Sequence, residues 1–411
     1  MRILILLSLC VPAFASELPF SDPAKVGMSE DALAKVGPTV EKLIADNKLA
    51  GANVLILKKG KVVYEESFGM RDLARKKPME KDTLFRIYSM TKALTSAAAL
   101  MLCEEGKLSL DDPVGAYLPE LAAPVVFVTK GKTSPMDRQP TVRDLMRHTG
   151  GFANLRGLHP VSALYRKGLP SQDKRTLDHL VGNIGKSPLL YQPGTKWVYG
   201  ASSDLLAAVV AKAAGRPFEE VITERLINPL GMQDTGYSVP KEKADRLSVL
   251  YRKKWINGLG VLDGTLESRI LEDPTFKGGG SGLISTARDY GRFLQMIANG
   301  GEFAGKRYLR KDTVDLMRTN QLPRDITEIS FGAQKRHGTG FGLGFSVKIS
   351  ADKRWDKDAL VGEYGWGGAA STHYWICPQH DLVVITMEQT MPYNGNLELA
   401  LKPLIYNAVL K

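Results

Sequence analysis

The chain has 411 residues, 44% of them hydrophobic and 24% charged, which implies one large or two intimate folded domains and excludes a disordered or fibrous polymer. The formal net charge of +11 raises nucleic acid as a partner, but Lys and Arg are interleaved with Asp and Glu, and the densest basic clusters, Lys58-Lys59 with Lys61 and Arg252-Lys253-Lys254, are short. A solvated basic surface with no nucleic-acid partner is the reading. No Cys/His cluster has zinc spacing and no HExxH occurs, so neither a metal nor another cofactor is implied.

In chain order, Arg2 precedes an apolar run from Ile3 to Val11, and Ala13-Phe14-Ala15 offers small residues where a signal peptidase reads them. Residues 1–15 are therefore expected to be a signal peptide, giving a secreted or periplasmic protein. The run is too short to span a bilayer, and no later segment is apolar enough, so no stable membrane insertion is expected. Cys10 invites a lipoprotein reading, but Leu9 stands where such a site wants a small residue. Beyond the leader, Cys103 and Cys377 remain; buried free thiols are the reading, since nothing in their spacing requires a bond.

Val54-Leu55-Ile56-Leu57 and Val62-Val63-Tyr64, joined by Lys58-Lys59-Gly60-Lys61, predict an antiparallel hairpin. Helical character follows in Ala93 to Glu105, Val142 to Arg147, Ser203 to Ala214, Glu219 to Ile227 and Ala287 to Asn299, punctuated by Gly106, Gly215-Arg216-Pro217 and Asn228-Pro229. Lys130 to Pro140 and Gly258 to Lys277 read as loops. Strands return at Gly344 to Val347, Thr372 to Ile376 and Leu382 to Glu388, and Leu399 to Leu410 closes the chain as a helix. Strands at both ends predict one sheet built from both termini, with a mainly helical region between them.

Ser89-Met90-Thr91-Lys92 is an S-x-x-K pair. If a helix begins at Ser89, positions three apart share a face and the amine reaches the hydroxyl. Ala97-Ala98-Ala99-Leu100-Met101-Leu102 is apolar all round, so that helix is expected to be buried and to carry Lys92 out of water. Desolvation and the helix dipole both favour a neutral amine, which can take a proton from a hydroxyl. Alone, S-x-x-K is a weak signal, equally compatible with a capping Ser followed by an exposed Lys.

With these segments in view, the sequence resembles the serine β-lactamase and penicillin-binding superfamily, most of all class C-type β-lactamases and the related family VIII carboxylesterases. The likeness runs in consistent order through Glu105-Gly106-Lys107-Leu108-Ser109-Leu110-Asp111-Asp112-Pro113, Thr141 to Gly151, Gln192-Pro193-Gly194-Thr195-Lys196-Trp197-Val198-Tyr199, Pro229-Leu230-Gly231-Met232 and Gly279 to Ala287. The family's Y-x-N motif falls on Tyr199-Gly200-Ala201, with the asparagine absent, and its K-T-G motif on Trp366-Gly367-Gly368-Ala369, with Trp366 replacing the lysine. The resemblance implies that Ser89 is the nucleophile and that Lys92 and Tyr199 are its activating pair. It also implies that the Ser89 and Ala369 N–H groups form the oxyanion hole. Trp366, Gly367 and Gly368 would then be substrate-binding, Trp366 as an apolar wall suited to a neutral acyl or alcohol group.

No G-x-S-x-G elbow is present for an α/β-hydrolase triad. His148 is expected to be structural, around a helix end, and His373 to follow the third motif on a strand. The fold expected is α/β plus all-α, the β-lactamase-like fold, with an antiparallel sheet flanked by helices and a large helical domain inserted. Residues 16–100 and 326–411 form the sheet domain and 101–325 the helical one, with the active site between them. The function expected is an exported serine hydrolase cleaving small or medium carboxylic esters through an acyl-enzyme on Ser89, and nothing in the set of residues precludes residual turnover of β-lactams. The alternative is a β-lactamase or D-amino-acid peptidase acting on cell-wall peptides. A third reading is an envelope-binding protein that keeps the fold without catalysis.

Overall fold

The computed structural model describes residues 17–254, 258–262 and 270–410. The expected leader, with Cys10, lies outside them, as does part of the loop expected over Gly258 to Lys277. Eight strands make the main sheet: β1 (Gly51–Lys58), β2 (Lys61–Asp72), β3 (Lys77–Pro78), β4 (Thr339–Phe341), β5 (Ser346–Lys348), β6 (Tyr364–Gly367), β7 (His373–Cys377) and β8 (Leu382–Met387). Their spatial order is β4-β5-β6-β7-β8-β1-β2-β3, every pair antiparallel. N-terminal and C-terminal strands thus meet at the β1–β8 pair, where Leu55 faces Ile385. The β1–β2 turn places Lys59 at φ 50° and Gly60 at φ 74°. Two successive residues at positive φ match the twist of a tight hairpin.

Every residue of β1 is buried, which is why its apolar run does not alternate with polar residues: helices cover both faces of the sheet. Side chains along a strand alternate between faces. Val54 and Ile56 pack with Val36 and Val40 of α1 (Val36–Ala45) and with Leu401 and Ile405 of the C-terminal helix, Asn396–Asn407. Leu55 and Leu57 join a second, larger core that includes α2 (Thr91–Glu104), α3 (Ser202–Ala214) and α4 (Ala287–Ala298).

α2 is buried from Thr91 to Leu100 and again at Leu102, as its all-apolar pattern requires. Fully burying one Leu or Met of such a helix is worth about 1.5–3 kcal/mol. α3 packs beside α2, and a Cβ at Gly279 would come within 2.3 Å of the Ser203 carbonyl oxygen and 2.7 Å of the Thr95 methyl. The segment 278–280 can therefore run between the two helices only with glycine at that point. α4, within the stretch expected to be the helical part, lies on β1 and β8, so sheet and helices share one core.

Several boundaries differ from expectation. Ser89 sits not on the α-helix but on a 3₁₀ turn, Tyr88–Met90, before α2 begins at Thr91. The stretch expected as a helix through Ile227 is α-helical over Phe218–Ile222 and then widens to a π-helix over Thr223–Ile227. The loop expected over Lys130 to Pro140 carries a short strand, Lys132–Ser134, paired with Val126–Thr129. Cys103 and Cys377 are both free thiols. Among the described residues no helix is long and apolar enough to cross a membrane, and no group of three His, Cys, Asp or Glu is placed to hold a metal.

Candidate active site

A cleft of about 560 Å³ opens at the end of β6, lined by Ser89, Tyr199, Phe331, Trp366, Gly367, Gly368 and Ala369. Lys92 lies buried beneath it. Its amine is 3.3 Å from Ser89 Oγ and donates to the Gly280 carbonyl oxygen at 2.5 Å. It also lies 4.7 Å from the Tyr199 ring centroid. Hydroxyl, amine and phenol, separated by up to 110 positions in sequence, are neighbours in space.

Local backbone geometry presents Ser89. Tyr88, the residue before it, has φ 42°, a conformation that costs a non-glycine residue on the order of 1–3 kcal/mol and persists only where surroundings enforce it. Ser89 follows on the 3₁₀ turn, two residues before α2 begins at Thr91. On the opposite wall, a Cβ at Gly368 would come within 2.5 Å of the Ile87 carbonyl oxygen and 2.3 Å of Thr372 Oγ1. Only glycine lets the third-motif backbone approach the nucleophile turn this closely, and Ala369 follows at the cleft surface.

Tyr199 leads into α3. Gly200 runs against the Phe152 and Ala153 carbonyl oxygens, 2.5 and 2.6 Å from where a Cβ would lie. Behind the phenol ring stand Trp197, stacked at 5.9 Å between centroids, and His148, tilted at 5.0 Å. Burial first, and the Lys92 charge second, hold the His148 imidazole down to about 3, so it is neutral. Among the described residues its Nδ1 has no partner, and its side chain packs the ring of Tyr199 rather than bonding around a helix end. His373 turns away from the cleft into a contact with Glu398 at 2.5 Å.

Trp366 is more than an apolar wall. Its indole Nε1–H donates to the Tyr199 hydroxyl oxygen at 3.2 Å, so a neutral donor reaches the phenol from the position where the resembling β-lactamases carry a lysine. A donor there lies where negative charge develops if the phenol gives up its proton. Sequence reasoning also missed Asp204. Its carboxylate accepts the Gly280 N–H at 2.8 Å and so anchors the residue whose carbonyl, in the next peptide, accepts Lys92. Burial pushes the Asp204 carboxyl up, opposed by the Lys92 charge and the Gly280 hydrogen bond. The signal available was its place five residues after Tyr199, on the first turn of a helix.

With this geometry in hand, the comparisons are decisive for family. The Beta-lactamase family model matches residues 37–402. The chain belongs to the β-lactamase family. Among its relatives, the protein Rv1367c of Mycobacterium tuberculosis is 34% identical over 354 residues, 84% of this chain and 86% of that protein. Esterase EstB of Burkholderia gladioli is 26% identical, across 94% of this chain and 98% of that one. The solved structure of EstCE1, a hydrolase with promiscuous acyltransferase activity, superposes with a TM-score of 0.77 at 25% identity, covering 92% of this chain and 99% of that chain. Simvastatin synthase from Aspergillus terreus, at 22% identity and a TM-score of 0.75, shares the fold. This β-lactamase-family chain thus has family VIII esterases among its homologues, and the expected sheet-and-helix architecture is the one it adopts.

Proposed function

We propose that this β-lactamase-family hydrolase is an exported carboxylesterase that works through an acyl-enzyme on Ser89. The observation that carries the reading is the Trp366–Tyr199 hydrogen bond beside the Ser89–Lys92 pair. It completes a nucleophile, amine and phenol set while leaving the third motif without its lysine. Export is the reading of the apolar run Ile3 to Val11 followed by Ala13-Phe14-Ala15.

Ser89 Oγ attacks the ester carbonyl, and its proton passes to the Lys92–Tyr199 pair, which acts as one coupled acceptor. The Ser89 and Ala369 N–H groups receive the carbonyl oxygen as it gains charge. The tetrahedral adduct collapses with cleavage of the C–O bond, and the pair returns a proton to the departing alkoxide. Water then attacks the acyl-enzyme, losing its proton to the same pair, and Ser89 leaves reprotonated with release of the acid. Asp204 and Gly280 hold the amine in place, and Trp366 holds the phenol.

Parallel kinetics on a short-chain aryl ester, a chromogenic cephalosporin and a D-Ala-D-Ala peptide test this reading. The ester is expected to give the highest kcat/KM, and Ser89→Ala to abolish its turnover while the far-ultraviolet spectrum stays unchanged. Faster cephalosporin or peptide turnover would transfer the assignment to the β-lactamase or peptidase alternative.

A further inference from the structure

One cation in the cleft has no part in the chemistry above. Arg336 follows the short hairpin formed by Ser330–Phe331 and Gln334–Lys335, and it lines the cleft together with Ser89, Tyr199 and Trp366. Its guanidinium lies over three aromatic rings, 4.6 Å from the Phe331 centroid, 4.8 Å from Trp355 and 5.3 Å from Trp366. Stacking of this kind orients the guanidinium plane and leaves its in-plane N–H donors available for an acceptor.

No carboxylate forms an ion pair with Arg336 among the described residues, and its Nε is buried without an acceptor. A second, polar cavity of about 40 Å³ touches the same side chain, and its acids already have partners. Asp356 and Glu363 both meet Lys402, and Glu398 meets His373. Of these acids only Asp356 Oδ1 lacks a partner among the described residues. Arg336 is half-buried, and a buried donor such as its Nε is costly to leave without an acceptor. Trp366 joins the two groups: its N–H holds the Tyr199 hydroxyl and its ring carries the guanidinium. A substrate lying across that indole would have its scissile bond at Ser89 and a second group at Arg336.

We propose that Arg336 is a carboxylate-binding residue of this cleft, so that the preferred esters carry an anionic group on their acyl or alcohol side in addition to the scissile ester. Arg336 then supplies from a different segment the positive charge that Trp366 removes from the third motif. The reaction in this proposal rests on the esterase reading; the anion binding does not.

Two matched pairs test it: 4-carboxyphenyl butanoate against 4-carbamoylphenyl butanoate, and the 4-nitrophenyl monoester of heptanedioic acid against its terminal amide. The carboxylate is expected to be preferred in at least one pair by about tenfold or more in kcat/KM, and the preference to shrink in high salt. Arg336→Gln should remove the preference and leave turnover of the neutral twin nearly unchanged, while Arg336→Lys should retain part of it. A wild-type ratio of one or less in both pairs would overturn the proposal. So would an equal loss on charged and neutral esters in Arg336→Gln, the result expected if the side chain only braces Asp356. If Arg336→Gln does not fold, the wild-type ratios and their salt dependence decide. If no ester is turned over, the esterase reading fails by itself. Calorimetry with the unreactive ketones 4-butanoylbenzoate and 4-butanoylbenzamide then decides the anion site, with tighter benzoate binding in support and equal binding against.

Discussion

Trp366 stands where the resembling β-lactamases carry a lysine, and its indole N–H donates to the Tyr199 hydroxyl oxygen at 3.2 Å. A neutral donor in that place keeps the phenol oriented without adding a second ammonium beside Lys92. Trp366→Phe keeps most of the ring and deletes the hydrogen bond, which is worth about 0.5–1.5 kcal/mol. The expected outcome is a kcat about three- to tenfold lower on a neutral ester, with KM and melting temperature nearly unchanged, measured by steady-state kinetics and thermal unfolding. An unchanged kcat would mean that the bond does not matter to turnover. The phenol itself was legible in sequence because it stands in a motif. Its donor was not, because no local pattern records which way an indole N–H points. Asp204 and Gly280 were illegible for the same reason: a carboxylate that acts through a backbone peptide 76 positions away leaves no mark on its own neighbourhood.

Among elements, the helix start at Thr141 shows how the helical side is held against the site. Thr141 and Asp144 form a reciprocal capping box over Val142–Met146. The Asp144 carboxylate, fully buried, also receives Arg138 at 2.5 Å, Arg147 at 2.9 Å and Thr149 at 2.7 Å. Burial alone would push this carboxyl up; the hydrogen bonds from Arg138, Thr141, Thr149 and Arg147 overcome it and hold it at about 2. The segment then turns through His148, at φ 60°, to pack against Tyr199. Asp144→Ala should destabilise the fold by about 3–5 kcal/mol, the range for removing one partner of a buried charge network, as read by urea unfolding at neutral pH. Because the folded-state pKa is depressed, the native contribution is complete above about pH 4 and is lost as pH falls through about 2. The alanine variant should therefore lack that component of acid sensitivity. The helices and the β1–β2 hairpin were readable because apolar periodicity and turn residues are local. Strands β4 and β6 and the 3₁₀ turn at Ser89 were not, since a strand of three or four residues is defined by its neighbours rather than by its own pattern.

At the scale of the whole molecule, one core joins what the sequence divides. Leu55 and Ile385 of the sheet, Leu94 of α2, Leu205 of α3 and Phe293 of α4 belong to a single buried cluster. The cleft lies between elements that bury their apolar faces against each other, so neither side has a complete core alone. Sheet and helices are expected to unfold together, with far-ultraviolet dichroism, tryptophan fluorescence and hydrolase activity lost at coincident urea midpoints. A separate, earlier loss of helix signal would show two independent units. The order of family segments along the chain made the architecture legible; what joins sheet and helices depends on contacts of long sequence separation, which no window of sequence contains.

Intact-protein and peptide mass spectrometry after rapid acid quench of the enzyme with a slow-turnover ester tests the central claim most directly. One acyl group per chain is predicted, on the peptide that contains Ser89, present in the wild type and absent in Ser89→Ala. Acylation at another residue, or ester turnover that persists in Ser89→Ala without any covalent adduct, would contradict it.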